Sequence, residues 1–204
     1  LVDKKIVCYT QRVEYIDSYE ERRDCADQNI SNFIYSCGYI PMAVPNVPII
    51  AHEIIEKIHP NGIILTGGNS MMKYGGDAPD RDEIDALLID YGISNKTPVY
   101  GFCRGMQSIL DYYGNELVNV TGHVAVRHDI FGQEDEMDVN SYHNQGCMNL
   151  LSDELKVVMQ TEDGVIEKIR HVSLPIIGTM WHPEREKPFR DSDIRMVREL
   201  FGGK

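Results

Sequence analysis

The sequence predicts an α/β fold: an open, mostly parallel sheet flanked by helices, with a smaller antiparallel β extension. Three observations carry this expectation. Short apolar runs alternate with amphipathic stretches through the first half, as buried parallel strands and their crossover helices do. Beyond residue 113 the pattern changes to closely spaced short β segments, which suits antiparallel pairing. Between the two halves stands Gly101, Phe102, Cys103, Arg104, Gly105, directly after the apolar run Pro98, Val99, Tyr100. There a strand would turn sharply into a helix.

Taken in order, residues 5–10 read as the first strand, 19–37 as an amphipathic stretch, 39–44 as a second strand and 49–58 as another amphipathic stretch. Residues 62–66 form a third strand, and 82–94 a helix with Ile84, Leu87, Leu88 and Tyr91 on one face. Residues 97–102 feed Cys103, and 104–113 continue as a helix. The β segments that follow are 116–120, 123–130, 137–140, 155–160, 165–170 and 176–180, and the last helix is 192–201. Asp163 and Gly164 mark a tight hairpin turn, since Asp-Gly supplies the positive φ such turns require. No repeat, linker or low-complexity tract divides the chain, so residues 1–204 read as a single domain.

Composition narrows the function classes. With 204 residues and 42% hydrophobic content the chain can bury a full core. A net charge of −12, from 20 basic and 32 acidic residues, argues against bulk nucleic-acid binding, which needs clustered Lys and Arg. Cys8, Cys25, Cys37, Cys103 and Cys147 form no CxxC pair and no metal-type spacing with histidine. Their odd number speaks against a disulfide framework and fits a reducing cytoplasm. No apolar segment is long enough for a membrane span or signal peptide.

The chemistry centres on Cys103. A residue at a sharp strand-to-helix turn sits in strained geometry, so the positions two before and two after must lack bulk, and both are glycine. The helix after it aims its N-terminal amides at the sulfur, which favours thiolate. An apolar strand near the end delivers His182 as a general base, followed by Pro183 and Glu184. Proline keeps His182 extended, so the Glu184 carboxylate falls on the same side and can orient the imidazole. Gly67 and Gly68 follow the third strand on the same sheet edge, where ligands of such sheets bind. The main-chain N–H groups of Gly68 and Arg104 are the expected oxyanion donors. His123 and His128 are expected to face opposite sides of a strand, with no carboxylate in register, and so to make no metal pair. Alternation would set His123, Ala125 and Arg127 on one face, read as a solvated face ahead of an anion-binding pair.

These residues resemble the class I glutamine amidotransferase-like superfamily, whose sheet is flavodoxin-like, and within it the stand-alone γ-glutamyl hydrolases related to γ-glutamyl-γ-aminobutyrate hydrolase. The resemblance spans most of the chain. It rests on Gly101, Cys103, Gly105 and Gln107; on Trp181, His182, Pro183 and Glu184; on Gly67 and Gly68; and on the stretch Asn140, Ser141, Tyr142, His143, Asn144, Gln145. It implies a Cys103–His182–Glu184 triad that cleaves a γ-glutamyl amide through a thioester, with no metal or organic cofactor. It also implies that Gln107 and the stretch Ser141, Tyr142, His143 hold the glutamyl group, with Gly67 and Arg12 beside it. The implied partner is a small γ-glutamyl molecule, and a homodimer is compatible with it. Small bacterial members resemble γ-glutamyl-CDP-amidate hydrolase, which serves phosphoramidate decoration of capsular sugars. Residues 10–12 and 122–128 suit that substrate, whereas Met180 and the short loop after Gly68 depart from the usual pattern. The alternative is a glutaminase subunit passing ammonia to a synthase partner.

Overall fold

Strands β1 (Ile6–Tyr9), β2 (Arg12–Ile16) and β3 (Glu21–Cys25) lead into helix α1 (Gln28–Ser36), then β4 (Ile40–Ala43), α2 (Pro48–Ile58) and β5 (Gly62–Leu65). Helix α3 (Pro79–Asn95), β6 (Val99–Phe102) and α4 (Arg104–Tyr112) follow. The second half holds β7 (Val118–Asn119), β8 (Val124–Gly132), β9 (Met137–Tyr142), β10 (Gln145–Gly146), β11 (Leu155–Gln160), β12 (Ile166–His171), β13 (Ile176–Thr179) and α5 (Asp191–Leu200). These come from a computed structural model that describes residues 4–202.

Nine strands form one sheet in the order β4-β1-β5-β6-β13-β12-β11-β8-β9. The first five are parallel and the remainder antiparallel. β5, β6 and β13 are buried along their whole length, as strands covered on both faces must be. Their carboxyl ends, with that of β1, emerge on one edge and carry Thr10, Thr66, Cys103 and Met180. The helices begin where local chemistry dictates. Asp27 accepts the Asn29 N–H at the start of α1, and α2 and α3 each begin with proline at a first-turn position.

Two expectations are corrected. Residues 19–37 are not one amphipathic stretch: β2 and β3 form a separate two-stranded hairpin, and α1 starts only at Gln28. The hairpin strands are mostly exposed, Val13 being their one buried residue, so no buried apolar run betrays them. The alternation across residues 123–128 also fails. Ala125 sits at φ 55° and the β8–β9 register shifts between Val124 and Val126. This bulge adds a residue and reverses side-chain parity beyond it. His123 and His128 therefore face each other, ring centroids 4.8 Å apart, while Arg127 points outward to Asp138 and Glu186.

Candidate active site

The turn from β6 into α4 holds Cys103 at φ 50° and ψ −111°, a region costly for any side chain. Its N–H donates to the Thr179 carbonyl at 2.8 Å, which pins the turn to β13. The flanking glycines are sterically required. A Cβ on Gly101 would lie 2.5 Å from the Gly105 carbonyl oxygen, and one on Gly105 would lie 2.0 Å from that of Leu65. Gly105→Ala is thus expected to destabilise the fold by about 3 kcal/mol, read as a lowered urea midpoint. An unchanged midpoint would mean that α4 does not pack this closely on β5.

His182 stands beyond β13 beside Cys103, close enough for the sulfur to favour a charged ring. Its Nδ1 meets Glu184 Oε1 at 2.7 Å, which leaves Nε2 for the sulfur. Glu184 reaches back because Pro183–Arg185 form a single 3₁₀ turn. Burial opposes the imidazolium, but Cys103 and then Glu184 outweigh it and lift His182 to about 9. Asn140 of β9 grips the His182 peptide on both sides, accepting its N–H at 2.9 Å and donating to its carbonyl at 2.9 Å. The rings of Phe102 and Tyr142 stand edge-on to the imidazole at 5.7 and 5.6 Å.

Gly67 closes against this pair, since a Cβ there would fall 2.7 Å from His182 Cε1 and 3.6 Å from Cys103 Cβ. Gly68 follows at φ +131°, with Arg12 Cβ in the space its own Cβ would take. Among the described residues no protein acceptor takes the main-chain N–H of Gly68 or Arg104. A buried ionic network ties their two chain segments together. Arg81 donates to the Thr66 carbonyl and to Thr10 Oγ1, each at 2.8 Å, and pairs with Asp85. Asp85 also pairs with Arg104 and accepts from Ser108 Oγ, while Asp82 takes the other end of Arg104. Asp85→Asn would leave two buried guanidiniums undercompensated, an expected loss of about 3 kcal/mol in urea unfolding. Full stability in that variant would refute the network.

The remaining expected residues divide. Tyr142 is exposed, with the Arg185 guanidinium 4.1 Å over its ring. Arg12 is half-exposed and pairs with Glu14 at 3.5 Å. Gln107 is buried and donates to the Gln145 carbonyl at 2.9 Å. The Ser141 hydroxyl is buried on the His123 carbonyl at 2.7 Å. The His143 ring is buried between the Gln145 carbonyl and Glu167. These three side chains are thus engaged internally. A cavity of about 760 Å³ between α5 and strands β12 and β13 includes none of the triad in its lining.

Arg81, Asp82 and Asp85 have no place in the sequence expectations, and Asn140 enters them only within its motif, without this role. Arg81 and Asp85 share the buried face of Ile84 and Leu88 on α3. Charges set one turn apart within an apolar stripe were the available signal.

A sequence model described as glutamine amidotransferase class-I matches residues 22–197. The chain belongs to the class I glutamine amidotransferase family. Within that family it is 28% identical over 200 aligned residues to a γ-glutamyl-CDP-amidate hydrolase of Campylobacter jejuni subsp. jejuni, covering 94% of this chain and 95% of that one. It is 26% identical to γ-glutamyl-γ-aminobutyrate hydrolase PuuD of Escherichia coli K12, over 84% of this chain and 82% of that one. Among solved structures, a Thermoplasma acidophilum protein provisionally described as part of a GMP synthase superposes with TM-score 0.73. It has 18% identity and covers 97% of this chain and 93% of that one, which establishes the shared fold. No helix among the described residues is long and apolar enough to cross a membrane.

Proposed function

We propose that this member of the class I glutamine amidotransferase family is a γ-glutamyl hydrolase acting through Cys103, His182 and Glu184. One observation carries the reading: the strained Cys103 lies beside an imidazole whose Nδ1 is held by a carboxylate. The Cys103 thiolate attacks the γ-carbonyl carbon, and the N–H groups of Gly68 and Arg104 donate to the oxygen as it gains charge. His182, held as imidazolium, gives its proton to the departing nitrogen as the C–N bond breaks. A glutamyl thioester remains on Cys103. His182, now neutral, takes a proton from water, whose oxygen attacks the thioester carbon. The C–S bond breaks, glutamate leaves, and the thiolate–imidazolium pair is restored. Asn140 keeps the imidazole in register throughout.

Tyr142 and Arg12 border the acyl and leaving groups, while Gln107, Ser141 and His143 shape that wall from beneath. The two hydrolase relatives differ in leaving group, one a nucleotide phosphoramidate and the other γ-aminobutyrate. The fuller coverage of both chains by the first alignment supports a CDP-amidate substrate. The test is a panel of γ-glutamyl amine, peptide and CDP-amidate conjugates, ranked by kcat/KM on the isolated chain. A preference of about tenfold or more for the phosphoramidate is expected. Preference for the amine would reassign the substrate, and turnover only with an added synthase would replace hydrolysis by ammonia delivery.

A further inference from the structure

Three imidazoles converge on one buried carboxylate. From Glu167 Oε1, His143 Nε2 lies at 3.2 Å, His123 Nδ1 at 3.5 Å and His128 Nε2 at 3.6 Å. His123, His143 and Glu167 are all buried, and their ligand-type atoms lie within 4.8 Å of one another. His123 Nδ1, His128 Nε2 and Glu167 Oε2 are buried with no hydrogen-bond partner.

The outer nitrogens make this arrangement informative. His123 Nε2 meets Asp163 Oδ2 and His143 Nδ1 meets the Gln145 carbonyl, both at 3.1 Å. Both of these partners are acceptors, so each ring places its N–H outward and its lone pair inward in the neutral form. Inside the cluster, lone pairs would then face a carboxylate, an arrangement that repels unless a cation lies between them. Oxygen acceptors behind metal-bound imidazoles orient histidine ligands in this way. The spacing agrees. A tetrahedral site with bonds of about 2.0–2.1 Å has edges of about 3.4 Å and sets imidazole centroids about 5 Å apart. The His123 centroid is 4.8 Å from that of His128 and 4.9 Å from that of His143.

We propose that His123 Nδ1, His143 Nε2 and Glu167, with His128 Nε2 as fourth ligand, form a closed structural site for one zinc-class divalent cation. A nitrogen-rich donor set suits zinc and its neighbours rather than magnesium or calcium, which take oxygen ligands. The ion would sit apart from the chemistry yet brace it from both sides. His143 directly follows Tyr142, whose ring stands on His182. The Glu167 carbonyl accepts the Met180 N–H at 2.8 Å, two residues before His182.

The test uses the full chain with any affinity tag removed, stripped by chelator and titrated with Zn²⁺ against a chromophoric competitor. One equivalent should bind, with a rise in Tm. Co²⁺ should give visible d–d bands of tetrahedral intensity without a thiolate charge-transfer band. Glu167→Gln and, as a milder change at the half-buried ligand, His128→Ala should each weaken binding by about a hundredfold or more. Cys103→Ser should still bind one equivalent. Less than one equivalent in the stripped wild-type chain overturns the site whatever the variants do. Loss of binding in Cys103→Ser, or its persistence in Glu167→Gln, would place the ion elsewhere.

Discussion

Cys103→Ala is expected to abolish release of glutamate from γ-glutamyl conjugates, by a factor on the order of 10⁵, while the protein stays folded. On the proposed mechanism the sulfur bonds to the acyl carbon, and of the described neighbours of His182, Phe102 and Tyr142 present ring edges, Gly67 has no side chain and Glu184 is held on Nδ1. A second consequence concerns stability. At φ 50° and ψ −111° an alanine keeps the backbone strain that cysteine bears, whereas glycine relieves it. Cys103→Gly should therefore be more stable than Cys103→Ala by about 1 kcal/mol, the strain of about 1–3 kcal/mol being partly offset by glycine's chain entropy. This reverses the usual order of those residues. Equal or inverted stabilities in urea would mean that the turn is relaxed, and residual turnover in either variant would remove Cys103 from the mechanism.

Glu184→Gln should lower kcat by about 10²–10⁴-fold with little change in KM. The amide can still touch His182 Nδ1, now at 2.7 Å from Oε1, but it contributes no charge to stabilise the imidazolium. The pH profile gives a readout that misfolding would not imitate. In the wild type His182 loses its proton near 9, so acylation, which needs the imidazolium to protonate the leaving nitrogen, declines as pH rises through that value. Burial opposes the charged ring, and Cys103 and Glu184 both favour it. Removing the Glu184 charge must move the falling limb to lower pH. Single-turnover rates across this range decide the matter. A limb that stays in place would assign it to a group other than His182.

How far the sequence announces this molecule can be judged from particular residues. The strand, elbow and helix around Cys103 are legible because glycines at 101 and 105 answer a steric demand that is local in sequence. His182 and Glu184 are legible because a proline between them restricts the chain within three residues. The parallel strands reveal themselves by burial on both faces. The β2–β3 hairpin does not, because its strands bury only Val13. Nor does the bulge at Ala125, where a non-glycine residue takes a positive φ with no local cue, and the error spreads to every side-chain direction beyond it. That one residue is why His123 and His128 meet. Asn140 and the Arg81–Asp85–Arg104 network act across 42 residues or across packed elements, so their roles appear only when the chain is folded.

On this mechanism the acyl group passes through the sulfur of Cys103. Acid-quenching a reaction with a slowly hydrolysed γ-glutamyl conjugate, followed by peptide mass spectrometry, tests it directly. A glutamyl adduct on the peptide that carries Cys103, sensitive to hydroxylamine as thioesters are and absent from Cys103→Ala, is the predicted result. Steady release of glutamate with no such adduct at any quench time, or an adduct on another cysteine, would contradict it.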